Sequence, residues 1–299
     1  MKKIILSALL FAGLTVTAQD YLDIARLNIG NTTLSNIEDG DREDFETTIT
    51  NLNFEFLYPT PIGKKTVLIT GLTAESTGLE LNANAAGESL IMTRLNLGVK
   101  MYHSKKWTGT YMLLPKIASN FDGLGGNDFQ FGAIALMEQR LKNRFRLKYG
   151  LYSSTEEFGQ IITPLLGVYY RTPNNKFYID AAFPIRMEAN YSLSKKFSLG
   201  ADLRTSIKSY NLNGDTSAYV QEESIRAAFY AGLGLMKNKF LIRAKVGLDT
   251  TDYGLYESGD KVGAQVLTFT LKEDTRTRLN DEFASSLFVG LDLIYRLGL

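Results

Sequence analysis

The sequence contains no cysteine. Disulfides, thiolate nucleophiles, cysteine-ligated zinc and iron–sulfur clusters are therefore excluded. A single histidine, His103, leaves little of the usual acid–base and metal-binding repertoire. Tryptophan occurs once and proline six times. Net charge is almost absent: 33 Lys and Arg against 32 Asp and Glu leave +1, so no basic excess points to nucleic acid as a partner. Beyond the N-terminus no stretch reaches the roughly 18 apolar residues that mark a spanning helix. What is abundant is apolar and aromatic: 44% of residues are hydrophobic, with 16 Tyr, 17 Phe and 26 Gly. That composition lies outside the disordered, collagen-like and coiled-coil classes, and its aromatic content suits β structure.

Lys2 and Lys3 precede an apolar stretch, Ile4 to Val16, and a small-residue site at Val16-Thr17-Ala18. This is the pattern of a cleaved secretory signal. The expected organisation is a signal peptide over residues 1–18 and one domain over residues 19–299.

That domain alternates. From Phe283 to the end, odd positions carry Leu287, Val289, Leu291, Leu293, Tyr295 and Leu297. Even positions carry Gly290, Asp292, Arg296 and Gly298, with Phe288 and Ile294 as apolar exceptions. A period of two places the sets on opposite faces of a sheet. Leu95, Leu97 and Val99 likewise alternate with Arg94, Asn96 and Lys100, and Phe145, Leu147 and Tyr149 with Arg146, Lys148 and Gly150. The same holds for Phe197 to Lys208 and Phe240 to Asp249, whereas Thr66 to Leu72 and Ile161 to Tyr170 are apolar on both parities.

A turn recurs between strands: polar residues, Lys or Arg, then an aromatic. It ends in Trp107, Phe145, Phe177, Phe197 and Phe240, and Pro59 to Lys65 makes a less regular sixth. Such aromatics fit an interfacial girdle. The opposite connections, near 31–44, 78–88, 119–128, 154–161, 209–220 and 250–282, are longer and more polar. Long loops on one side, short periplasmic turns on the other and strands of ten or more residues predict an all-β, antiparallel transmembrane β-barrel of about 14 strands. A short pair, 176–183 with 186–193 joined at Phe183-Pro184-Ile185, makes 12 strands the alternative, because each falls below a span of roughly 9–11 residues.

Chemistry is read mostly by elimination. His103 lies beside Ser104 at a short turn, which is neither a triad nor the place for lipid chemistry in the outer leaflet. The acidic first loop, with Glu38, Asp39, Asp41, Glu43 and Asp44, lacks the spacing of a calcium loop. The loop Asp122 to Asp128 is glycine-rich without a strand–turn–helix setting, and reads as a flexible hairpin end. No catalytic, cofactor-binding or metal-binding residue is assigned, and no cofactor is expected. Parity places thirteen basic residues inward: Arg94, Lys100, Lys116, Arg140, Arg146, Lys148, Arg186, Arg204, Lys208, Arg226, Arg243, Lys245 and Arg296. Seven acids join them: Glu55, Glu138, Asp180, Glu188, Asp202, Asp249 and Asp292. Asp202 with Arg186, and Glu188 with Arg204, are the expected cross-strand pairs.

Val16-Thr17-Ala18-Gln19, the segment Ala182-Phe183-Pro184-Ile185-Arg186 and the ending Gly290 to Leu299 carry a resemblance. The chain resembles the uncharacterised outer-membrane β-barrel families of Gram-negative bacteria, especially a domain-of-unknown-function family common in Bacteroidota. The resemblance implies an outer-membrane location, contact with lipid and lipopolysaccharide, and insertion by the barrel-assembly machinery. It implies no known reaction. The chain ends in Leu299, where such barrels usually finish in an aromatic. The expected function is a small porin-like diffusion channel for small solutes. The alternative is a non-conducting structural or loop-binding barrel, and an outer-membrane enzyme stands a distant third.

Overall fold

A computed structural model describes residues 21–36, 45–82, 87–213, 217–266, 269–270 and 273–298. The expected signal at 1–18 and the acidic cluster Glu38 to Asp44 lie outside the described residues. Thirteen strands follow one another: β1 (Tyr21–Ser35), β2 (Glu46–Pro61), β3 (Thr66–Leu79), β4 (Glu88–Tyr102), β5 (Trp107–Ser119), β6 (Phe129–Lys142), β7 (Phe145–Glu156), β8 (Gly159–Arg171), β9 (Phe177–Ala182), β10 (Arg186–Ser192), β11 (Phe197–Leu212), β12 (Ala218–Leu235) and β13 (Phe240–Asp249). Three short strands, β14 (Asp252–Glu257), β15 (Gly263–Val266) and β16 (Phe269–Thr270), precede the last, β17 (Ser286–Gly298).

Each of β1 to β12 pairs antiparallel with its successor, and β17 pairs with both β13 and β1. The sheet therefore closes as a 14-stranded antiparallel barrel, and the short β9–β10 pair belongs to it. Closure removes the open edges that a bilayer cannot satisfy. No α-helix occurs among the described residues.

Alternation does what the sequence pattern requires. Outward residues such as Leu95, Leu151, Phe229, Leu248 and Leu287 are exposed and form an apolar belt around the wall. The five turn-ending aromatics share that outward parity, and Phe240 packs on Tyr295 with ring centroids 5.1 Å apart. The two even-numbered exceptions on β17 point inward and are buried. Phe288 takes the space left by two glycines: a Cβ on Gly30 would lie 2.5 Å, and one on Gly290 2.6 Å, from its ring.

The loop end departs from expectation. The connection at 154–161 is a tight turn, because β7 runs to Glu156 and β8 starts at Gly159. Gly159 has φ +136, and a Cβ there would meet the Gly263 carbonyl at 1.7 Å, so only glycine lets β15 approach β8 this closely. The 250–282 segment, read as loop, contains β14, which continues β13 along β12, and β15, which pairs parallel to β8. The glycine-rich loop is fastened rather than loose. Asp128 is fully buried and accepts from the Gly125 N–H at 2.7 Å and from Asn211 Nδ2 at 2.9 Å.

Candidate transport path through the barrel

The lumen has three levels. At the short-turn end a cavity of about 760 Å³ opens between β1, β10 and their neighbours, with Tyr21, Lys176, Lys195 and Asn238 near its mouth. It reaches inward to Glu55, Arg186 and Glu188.

Above it lies a layer of paired charges. Arg243 Nη2 is 2.7 Å from Glu188 Oε1, and its guanidinium covers the Tyr230 ring at 4.2 Å. Lys245 Nζ is 2.7 Å from Asp202 Oδ2, and Arg226 is 2.6 Å from Asp249. Lys208 bonds Glu75 and lies 3.3 Å from Glu222, and Lys116 is 2.6 Å from Glu156. The expected pairs do not form. The register sets Arg186 opposite Arg204 and Glu188 opposite Asp202. Asp202 and Glu188 instead reach cations on β13, past the small Ala228 and Gly232 of β12. Parity gives the face of a residue; partners depend on which neighbours are small enough to reach across. Four further acids face the lumen, Asp23, Glu75, Glu156 and Glu222, against two further bases, Arg26 and Arg171. The basic excess inside the barrel is therefore smaller than parity alone suggested.

Among the described residues the loop-end half of the lumen is filled by packed side chains. The upper parts of β11 and β12, with β14, leave the wall and lean into the lumen as a three-stranded partition. Ser209 on β11 takes the Glu156 carboxylate at 2.8 Å, and Asn211 forms a bridge to Ser119 of β5. One face of the partition, with Tyr210, Leu212, Val220 and Tyr253, packs on inward residues of β1 to β5 such as Leu34, Ile49, Leu90 and Met92. The other, with Tyr219, packs on Phe158, Ile161 and Val262. The segment before β17 locks the outer edge: Arg278 bonds Asp252 at 2.6 Å, and Asn280 Nδ2 donates to the Tyr253 carbonyl at 2.7 Å. Arg276 Nη1 donates to the Tyr219 hydroxyl at 2.8 Å, and hydrogen bonds from the same side chain hold Asp274 below the usual carboxylate range.

His103 lies exposed at a short turn with Nε2 3.1 Å from the Tyr111 hydroxyl. The partition has a sequence signal in retrospect. β12 runs to 18 residues, beyond the roughly 9–11 needed for a span.

The sequence matches the family described as Domain of unknown function (DUF6268) over residues 24–257. An outer membrane channel from Pseudomonas putida F1 aligns at 10% identity and TM-score 0.47, covering 92% of this chain and 96% of that one. The Pseudomonas putida toluene transporter TodX aligns at 10% identity and TM-score 0.35, covering 92% and 90%. Acinetobacter baumannii OccAB4 aligns at 8% identity and TM-score 0.32, covering 93% and 99%. No curated protein matches the sequence.

Proposed function

We propose that this chain, which belongs to the family defined by the domain of unknown function DUF6268, is an outer-membrane channel for small solutes. The carrying observation is the cavity of about 760 Å³ that enters from the short-turn end and is lined by charged groups such as Glu55, Arg186 and Glu188. A purely structural barrel needs no such wet vestibule, and a filled interior would be more stable. The closed, even-stranded wall and its apolar belt support placement in the outer membrane, with the short turns toward the periplasm. Passage is read as passive, with no catalytic step. The sealed loop end favours a second reading, a non-conducting barrel that acts through its loops.

Current recording on the refolded, full chain in planar bilayers separates the two. The account expects brief, small openings in the resting protein rather than the steady current of an open porin. Inward bases still outnumber inward acids, so the reversal potential in a KCl gradient should show weak anion preference, strongest at low salt where screening is longer-ranged. Cation preference would overturn the charge assignment. A folded barrel that never conducts, with or without an intact partition, would favour the second reading.

A further inference from the structure

Three arginines stand in register on the lumenal face of adjacent strands. Arg186 of β10 lies opposite Arg204 of β11, and Arg204 lies opposite Arg226 of β12. Like charges directly opposite one another destabilise a sheet, so the row calls for counter-charge. Arg226 has it: Asp249, next in the same row on β13, is 2.6 Å away. The other two lack it. The carboxylate nearest Arg186 among the described residues is Asp180, at 3.8 Å, and Asp180 is already bonded to Lys148. The one nearest Arg204 is Glu55, at 3.6 Å, and Glu55 also stands opposite Arg26 of β1. Both separations exceed a hydrogen bond.

This pair is also wet. Arg186 lines the cavity and its side chain is 57% exposed, and Arg204, 39% exposed, has Glu55 of the cavity wall as its neighbour. Arg243 and Lys245, which hold carboxylates at 2.7 Å, are only 1% and 2% exposed. The remaining acids of the cavity are taken up by other cations. Glu188 holds Arg243, and Asp23 lies 2.8 Å from Arg296 and 3.1 Å from Arg26. The charge left uncompensated at the inner end is therefore positive. At the mouth, Lys176, Lys195 and Lys196 are exposed and pair with no carboxylate among the described residues. A small anion entering from the short turns meets one sign of charge along its way, which favours its capture. Asn190 and Ser198 make the walls between polar, and about 760 Å³ lies within the range of small-molecule sites.

We propose that Arg186 and Arg204 form a binding site for a small hydrophilic anion bearing a carboxylate or phosphate, at the inner end of the vestibule. A guanidinium presents its N–H groups as a fork that matches two oxygens of such a group. The anion supplies the acceptors and the negative charge that the row lacks. The proposal rests on the channel reading and names its solute class: the site is where an entering anion pauses beneath the filled loop-end half.

The test is calorimetric titration of the refolded full chain in detergent micelles at low salt, with succinate and inorganic phosphate as probes and glucose as the neutral control. Saturable binding should appear for at least one anion and not for glucose, and the anion that gives it identifies the group recognised. Arg186→Gln and Arg204→Gln should each weaken it about tenfold, as expected for a lost charge-assisted hydrogen bond. Both side chains are exposed, and heat-modifiable migration confirms that each variant is folded. Lys105→Gln with Lys106→Gln removes charge from a turn outside the cavity and should leave binding within about twofold. No saturable binding of either anion, equal binding of glucose, or a loss in the lysine variant as large as in the arginine variants would overturn the proposal. A barrel that conducts but binds neither anion removes the site alone, whereas binding without conduction leaves the site and removes the channel reading.

Discussion

Replacing Leu212 and Val220 together with aspartate is expected to raise the mean current through the reconstituted barrel at least ~tenfold, by turning a shut pore into an open one. Both side chains are buried on the face of the partition that packs on β1 to β5. Each contributes about 1.5–3 kcal/mol of apolar burial to that seal. An unpaired carboxylate in the same place carries a desolvation cost of several kcal/mol. The wall does not depend on this contact, because its 14 strands are held by their own ladders. Heat-modifiable migration should therefore persist while the partition lifts. Unchanged current in a folded variant would mean that the partition is not what closes the mouth.

Arg243→Ala is expected to destabilise the barrel by about 3–5 kcal/mol, the cost of breaking a buried ion pair on one side. The Arg243 side chain is only 1% exposed, pairs with Glu188 at 2.7 Å and covers the Tyr230 ring. Its removal leaves Glu188 with Arg26 at 4.0 Å and the Tyr178 hydroxyl. Arg243→Met combined with Glu188→Gln should recover most of the loss, since no charge is then stranded. Denaturant unfolding in vesicles measures both. A loss below about 1 kcal/mol for the single variant would place this pair among weak, solvent-screened contacts.

The wall was legible in the sequence because a transmembrane barrel writes its two faces into alternate residues. Leu287, Val289 and Leu291 against Asp292 and Arg296 is one such record, and the ladder between β17 and β1 confirms it. The short β9–β10 pair was visible too, as was its doubtful length. The extra length of β11, which runs to Leu212, was read as loop. The partition was hidden for a related reason. Residues on both of its faces are buried, so Tyr210, Tyr219 and Val220 carry no apolar–polar contrast from which parity could be read. Ile161 to Tyr170 was ambiguous because Ile161 and Leu165 are buried inward while Leu166 and Tyr170 face lipid. Ion-pair partners were not legible, because Asp202 to Lys245 and Glu188 to Arg243 skip over intervening strands.

The central claim is a lumen open at the short-turn end and closed at the loop end. The absence of native cysteine makes it directly testable. Arg204→Cys places one thiol in the lumen below the partition, and a membrane-impermeant hydrophilic maleimide reports which side reaches it. The account predicts labelling only when the periplasmic side is exposed, and none on intact cells. Labelling of intact cells, or no labelling from either side of a folded barrel, would contradict it.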